Sequence, residues 1–330
     1  MSISFSSGAG GGDSQRVLVV GARRRRQGIG EYVARSFHRA GCLVEAIVGT
    51  SPSSVEAALA QLRGRYGIQA RGYVDLEEAL ERERPGVVAI CSPYLFHRQA
   101  LELVAQGGEA HCLCEKPLWW EEGVGDRLEL TQRIIQKFLD NQKYLDTITQ
   151  WPQTLPYYYQ LFPRPKELRR FEMMMGPREI SPELVLESFP HIFSMLYALV
   201  GVGEIAGVEL SFSPPRWREL EVDVVISFSY RHSSGEVAVS CAFVRSPQPP
   251  RPAGYGINGR WAMRKIRLPQ YQFYFESDGK VLDFPDPLDL HIQEFLTNLA
   301  QKLLDQTKLL NGMELLEKLY FQVEHLWAKG

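Results

Sequence analysis

Arg16-Val-Leu-Val-Val20-Gly21-Ala-Arg-Arg-Arg-Arg-Gln-Gly28-Ile-Gly30 is the stretch on which the reading of this chain turns. A compact apolar strand, Arg16–Val20, runs into Gly21, and an amphipathic helical pattern, Ile29–Ala40, follows up to Gly41, which supplies a C-cap. Strand, glycine turn and helix start, in that order, form a natural anion cradle. Glycines let the backbone approach a pyrophosphate, and the helix N-terminus presents free N–H groups to it. The usual G-x-G-x-x-G spacing is absent here. In its place is a lengthened loop with Arg23, Arg24, Arg25 and Arg26, four guanidiniums where phosphates would lie. Gly21, Ala22, the four arginines, Gly28, Ile29 and Gly30 are therefore candidate cofactor-binding residues. The plainer alternative is a solvated basic loop.

Working outward, the same alternation repeats. Leu43–Val48 reads as a strand and Ser53–Arg63 as a helix, and Asp75-Leu-Glu-Glu78 caps a helix running to about Glu83. Pro85-Gly86 breaks it, Val87–Cys91 is a buried strand, and a helix from about Phe96 to Gln106 leads into His111–Cys114. Apolar strands that are continuous rather than alternating argue for a parallel sheet covered on both faces, the α/β Rossmann class. A long helical stretch, roughly Glu122–Asn141, comes next, and proline and aromatic residues crowd Trp151–Pro165.

Beyond that the character changes. Strand-like runs occur at Glu167–Met175, Glu204–Ser213, Glu221–Tyr230, Glu236–Phe243, Trp261–Leu268, Gln270–Glu276 and Lys280–Phe284, with turn signals Ser233-Ser-Gly235 and Ser277-Asp-Gly279 between neighbours. One helix, about Pro182–Val200, interrupts them, and two more, Leu288–Lys308 and Met313–Trp327, end the chain. This predicts a C-terminal α+β domain with a largely antiparallel open sheet. The expected division is a disordered leader at 1–14, a dinucleotide-binding Rossmann domain at 15–120, a connecting helix and crossover at 121–150, and a substrate and oligomerisation domain at 151–330. The last helices could pack back on the Rossmann domain.

Composition bounds the function. A length of 330 residues suits two domains, and a net charge of −2 provides no global field for nucleic acid or an anionic membrane. No apolar run approaches the ~20 residues of a membrane-spanning helix. The Ser/Gly-rich start, Met1 to Asp13, lacks the basic and apolar regions of a signal peptide. Five cysteines (Cys42, Cys91, Cys112, Cys114, Cys241) form no C-x-x-C pair, and buried thiols in a cytoplasmic protein are expected, with no metal site.

At the end of the second strand, Val48-Gly49-Thr50-Ser51-Pro52-Ser53-Ser54 contains no acid to accept the ribose hydroxyls that distinguish NAD. Thr50 and Ser51 can hydrogen-bond a 2′-phosphate, and an arginine from the loop could pair with it. NADP is therefore expected over NAD. The alternative is a serine-rich helix cap.

Val87-Val-Ala-Ile-Cys-Ser-Pro93-Tyr-Leu-Phe-His97, followed by Glu115-Lys116-Pro117, resembles the Gfo/Idh/MocA oxidoreductases over roughly residues 16–120. The resemblance implies that Cys91, Ser92, Pro93 and His97 flank the nicotinamide half of the cofactor and that Glu115 helps fix it. It also implies that Lys116 lies near the reacting carbon, often beside an unusual backbone at the Lys-Pro bond. Chemistry favours a lysine there independently. Oxidising an alcohol requires removal of a hydroxyl proton as hydride leaves, and a lysine beside a cationic nicotinamide ring can take or return it.

In Glu187-Ser-Phe-Pro-His191-Ile-Phe-Ser194 the family's usual Asp, His, Asp pattern becomes Glu187, His191 and Ser194. His191 is a candidate for substrate hydrogen bonding or proton transfer, against a satisfied core histidine. Where many members carry a substrate-binding arginine, this chain has Gln150 and Trp151, with Tyr157, Tyr158 and Tyr159 nearby. That suggests a less anionic, more aromatic pocket, or simply core.

The expectation is thus an NADP- or NAD-dependent dehydrogenase or reductase. It acts on a carbonyl, alcohol, imine or amine carbon of a small molecule, with Lys116 as acid/base, His191 assisting, and Gln150, Trp151 and Glu187 at the substrate. The resemblance also implies a homodimer or homotetramer through the C-terminal sheet. The rival is a non-catalytic dinucleotide-binding sensor on the same fold. A nucleic-acid patch at Arg23–Arg26 lacks a wider basic face.

Overall fold

The computed structural model describes residues 14–22, 28–214, 217, 218, 220–269, 271–302 and 306–329. Its N-terminal half runs β1 (Arg16–Val20), α1 (Gly30–Arg39), β2 (Leu43–Val48), α2 (Pro52–Tyr66), β3 (Arg71–Tyr73), α3 (Leu76–Glu83), β4 (Val87–Ile90), α4 (His97–Gln106), β5 (His111–Glu115), α5 (Arg127–Asp140) and β6 (Leu145–Ile148). The strands pair in the order β3-β2-β1-β4-β5-β6, all parallel. Val17, Leu18, Val19 and all of β4 are buried, as strands covered on both faces must be. The chain leaves β1 towards β2 on one side and returns to β4 on the other, so a crevice opens at the carboxyl ends of β1 and β4. The segment 121–150, expected as a connection, contributes α5 and β6 and so completes this sheet.

The second half runs α6 (Leu155–Leu161), β7 (Arg170–Met175), α7 (Leu184–Val200), β8 (Gly203–Phe212), β9 (Val224–His232), β10 (Gly235–Phe243), β11 (Ala253–Ile257), β12 (Arg260–Arg267), β13 (Gln272–Ser277), β14 (Lys280–Phe284), α8 (Pro287–Ala300) and α9 (Thr307–Trp327). Its sheet order is β14-β13-β12-β11-β7-β10-β9-β8. Every pair is antiparallel except β7 with β10. The turns at 233–235 and 277–279 join hairpins β9–β10 and β13–β14. One face of this sheet, with Phe171, Phe228, Tyr255 and Phe275, is buried in the same core as Phe189, Phe193 and Leu319 of the helices. No helix among the described residues is long and apolar enough to cross a membrane.

Helix α8, the next to last, returns to the first sheet's layer. Asp286 accepts from Arg35 of α1 at 2.6 Å, Asp289 accepts from Ser36 and from Arg39 (3.0 Å), and Phe295 meets Phe37 edge-on. This fixes the C-terminal half of α1 against the second half of the chain.

Lys143 shows how firmly the first domain is closed. Its ammonium is buried and donates to the carbonyls of Val104 (3.0 Å), Ala105 (3.1 Å) and Gly107 (2.8 Å), the orphan acceptors at the end of α4. Burial lowers its pKa from the usual lysine range. Lys143→Met leaves those carbonyls unpaired in an apolar surround, and a loss of about 3 kcal/mol is expected from stranding them. Urea unfolding measures it. A midpoint unchanged from wild type would show that the three bonds contribute nothing net.

Candidate active site

The crevice begins at the turn after β1. Gly21 has φ +82°, and a Cβ on it would lie 2.8 Å from the carbonyl oxygen of Cys91. A Cβ on Gly30 would sit 2.2 Å from the carbonyl oxygen of Gly21. Both glycines are thus required by close backbone approach between β1, β4 and the first turn of α1. Ala22 is buried, and Gly28 and Ile29 lead into α1, whose N-terminus has no side-chain cap. The free N–H groups of that ten-residue helix point to where a dinucleotide's phosphates would sit. Arg23–Arg26 lie outside the described residues. Glu31 in the first turn is fully buried, accepting from Gln61, Arg65 (3.1 Å) and Tyr66 (2.9 Å) of α2, so its carboxylate is occupied internally.

At the end of β2, Thr50 is exposed. The Ser51 hydroxyl accepts from the Ser54 amide at 3.3 Å while Ser54 Oγ accepts from the Ser51 amide at 3.1 Å, a capping box for α2. Residues 48–54 carry no carboxylate.

At the end of β4, Cys91 is buried and its thiol pKa is raised well above the usual range by burial. Pro93 starts a short 3-10 turn at Tyr94–Phe96. The Ser92 hydroxyl is buried without a hydrogen-bond partner among the described residues. A nicotinamide dinucleotide fits these features: a glycine cradle that any Cβ would fill, an uncapped helix start and an unsatisfied hydroxyl at the carboxyl edge.

His97 does not face the crevice. It is fully buried, its Nε2 2.7 Å from the Ser92 carbonyl and its Nδ1 3.0 Å and 3.2 Å from the carbonyls of Pro117 and Leu118. Its ring lies between the loop after β4 and the segment after β5, near carbonyls of both. That segment is anchored by Trp119, whose Nε1 donates to Thr131 at 2.9 Å, and by Trp120, which carries the Arg127 guanidinium on its face at 4.3 Å.

Between these anchors sit Glu115 and Lys116. Lys116 Nζ is 3.7 Å from Glu115 Oε1, both side chains are largely covered, and the Lys116–Pro117 peptide is cis. Burial raises the Glu115 pKa from its ordinary value, with Lys116 and His97 opposing and Glu187 adding. The Glu187 charge bears on Tyr94 as well, after burial and Glu183, and raises its pKa. A cleft of about 430 Å³ extends from Lys116 past Thr147, Pro190 and His291. Along its wall Asp146 accepts from Tyr144 Oη at 3.1 Å and from the Thr147 amide at 2.7 Å, and burial raises its pKa.

His191 lies on α7, where Pro190 is accommodated inside the helix and Ser194 donates to the His191 carbonyl at 2.7 Å. Its Nδ1 is buried and unpartnered. Burial first, then Lys116, Arg264 and His291, hold its pKa well below the ordinary imidazole value. It is therefore neutral and can accept or donate one hydrogen bond. A stability consequence follows. Below about pH 6.5 the unfolded chain protonates this imidazole while the folded chain does not, so native stability is lost as pH falls. His191→Gln removes that term. The melting-temperature advantage of wild type over the variant is expected to shrink between about pH 7.5 and 5.5. An advantage that stays constant would contradict a buried neutral imidazole.

Trp151 is buried and Gln150 half-buried beside it. Trp151 carries a cation not anticipated from the sequence, the Arg264 guanidinium, 4.2 Å from its ring centroid. The signal was present. In β12, Ala262, Arg264 and Ile266 share the core-facing side, and an arginine on the apolar face of an alternating strand is an informative exception. His291, on the buried stripe of α8 with Leu288, Ile292 and Phe295, is the other residue not anticipated; its Nε2 lies 3.1 Å from the Thr147 carbonyl.

Residues 15–138 match the profile of the Gfo/Idh/MocA oxidoreductase family, NAD-binding Rossmann fold. No curated protein matches the chain. Among solved structures, UDP-N-acetylglucosamine 3-dehydrogenase GnnA from Acidithiobacillus ferrooxidans superposes with TM-score 0.65 at 16% identity, over 95% of this chain and 99% of that one. A probable dehydrogenase from Thermotoga maritima gives 0.68 at 16% identity, over 96% and 97%. The WlbA dehydrogenase from Thermus thermophilus, in complex with NAD and UDP-GlcNAcA, gives 0.61 at 14% identity, over 93% and 94%. At these identities the likeness carries the two-domain fold.

Proposed function

We propose, from the premise that this chain belongs through residues 15–138 to the Gfo/Idh/MocA oxidoreductases, that it is a nicotinamide-dependent dehydrogenase or reductase of a small molecule with Lys116 as its acid/base. The observation that carries the reading is the position of Lys116. Its ammonium is held beside Glu115 at the carboxyl edge of the parallel sheet, on the wall of the cleft, and it acts electrostatically on His191 of the second domain.

Bound at the glycine turn, a nicotinamide dinucleotide supplies or accepts the hydride. The chain's residues do the rest. Gly21, Ala22, Gly28, Ile29 and Gly30 would hold its phosphates through backbone N–H groups, and Ser92 would offer it a hydroxyl. In the reducing direction Lys116 donates a proton to the carbonyl oxygen, and in the oxidising direction it removes the hydroxyl proton. Neutral His191 orients that oxygen, and Glu115 holds the lysine. NADP is preferred over NAD in this reading, because residues 48–54 offer hydroxyls and no carboxylate. A homo-oligomer through the open sheet and a cytoplasmic location complete the proposal.

The test is titration of purified protein with NADPH and NADH by nicotinamide fluorescence, then turnover over a panel of sugar, nucleotide-sugar and simple carbonyls. Tight binding with turnover supports the reading. Tight binding without turnover across the panel would overturn the catalytic assignment, and equal affinity for both cofactors would overturn the NADP preference.

A further inference from the structure

A buried guanidinium is expensive to leave without a counter-charge, because water is removed and nothing replaces it. Arg264 is partly covered, and the buried part of its guanidinium is in that state. Its Nε is buried with no hydrogen-bond partner, and among the described residues its neighbours are the rings of Trp151 at 4.2 Å and Phe273 at 5.8 Å, with no ion pair. The carboxylate nearest in effect, Asp286, is already engaged by Arg35 at 2.6 Å. Burial pulls the Arg264 pKa down to about 10, so it remains a cation at neutral pH. The aromatic faces recover part of the lost solvation, and they also fix the direction of the planar fork.

The surroundings indicate what is missing. His191 Nδ1, likewise buried and unpartnered, feels Arg264 directly, together with Lys116 and His291. Two orphaned nitrogens thus sit on different elements, β12 and α7, and the charges of Arg264 and Lys116 both act on His191. We propose that Arg264 is an anion anchor: its guanidinium, braced on Trp151, holds a carboxylate or phosphate of the bound small molecule within reach of His191 and Lys116. This rests on reading the cleft as the oxidoreductase site, and it names the substrate class as anionic. The expectation of a less anionic pocket from Gln150 and Trp151 would then be overturned: Trp151 seats a cation supplied from another strand.

Carboxylate and phosphate share the recognition chemistry, and a phosphate could come from the dinucleotide itself, so the test separates the two sources. Malonate and inorganic phosphate are titrated into protein without cofactor, read by tryptophan fluorescence and thermal shift. NADH and NADPH are titrated separately. Wild type is expected to bind at least one anion. Arg264→Met should weaken that binding by about tenfold or more and Arg264→Lys by less, with both dinucleotide affinities unchanged. Arg264→Lys keeps the charge and guards against a folding failure in the methionine variant.

Anion binding by Arg264→Met equal to wild type would overturn the anchor. So would a loss confined to the dinucleotides, which would assign the guanidinium to the cofactor's phosphates. Should wild type bind neither dinucleotide while its anion affinity still depends on Arg264, the anchor stands and the oxidoreductase reading falls.

Discussion

Lys116→Ala is expected to lower kcat by about two to four orders of magnitude, the usual contribution of a positioned acid or base, while cofactor affinity stays near wild type. The separation follows from the geometry. Lys116 is held by its own backbone, since the His97 ring lies near the Pro117, Leu118 and Ser92 carbonyls and Trp119 bonds Thr131 beneath them. Shortening the side chain therefore removes the ammonium without releasing the strand. Glu115 loses a neighbour at 3.7 Å, and its pKa, already raised by burial, should rise further. Steady-state kinetics and a fluorescence titration measure the two quantities separately. A variant turning over within about tenfold of wild type would remove Lys116 from the proton-transfer step.

Gly30→Ala is the second large effect. The added methyl would lie 2.2 Å from the carbonyl oxygen of Gly21 and 2.9 Å from the Ala22 Cα, both backbone atoms that no rotamer change can relieve. The start of α1 must move away from β1, at an overpacking cost of about 1–3 kcal/mol. The same movement displaces the helix N–H groups from the phosphate position, so affinity for NADH and NADPH should fall by about tenfold or more. Gly64→Ala is the control. It lies on an exposed turn of α2 with nothing near its Cβ, and there alanine should hold or raise stability by up to ~1 kcal/mol. If Gly30→Ala melts and binds cofactor like wild type, the cradle is not where the dinucleotide sits.

Much of the fold could be read in advance, for reasons visible in particular residues. Arg16–Val20 and Leu43–Val48 coincide with β1 and β2 because their ends are punctuated by Gly21, Gly41 and Gly49 and they are rich in valine, leucine and isoleucine, with Glu45 and Ala46 the exceptions in β2. Three strands went unanticipated. β3 is only Arg71-Gly-Tyr73, with no apolar run, and exists because β2 offers it an edge. β6, Leu145-Asp-Thr-Ile148, is short with a polar middle and lacks the continuous apolar run of the other buried strands. β11, Ala253-Gly-Tyr-Gly-Ile257, carries two glycines in a region crowded with proline, yet it lies at the centre of its sheet between β12 and β7. Its glycines are used there, since a Cβ on Gly254 would strike the Ala262 carbonyl oxygen at 2.6 Å.

The site was legible where chemistry is carried by contiguous residues, as in Glu115-Lys116-Pro117, and illegible where it is assembled across the fold. Arg264 and His291 act by charge on His191 from β12 and α8, elements separated from it by long stretches of chain. Only the inward face of β12 hinted at the arginine. His97 shows the converse: a residue marked for the cofactor by resemblance is instead buried, its ring between two loops and near carbonyls of both.

A crystal structure of the protein with bound NADPH tests the central claim most directly. The account predicts phosphates against the amides that open α1, the nicotinamide ring beside Ser92, and the Lys116 ammonium facing that ring across the cleft. A dinucleotide seated elsewhere, or a Lys116 side chain turned away from the ring into solvent, would contradict it.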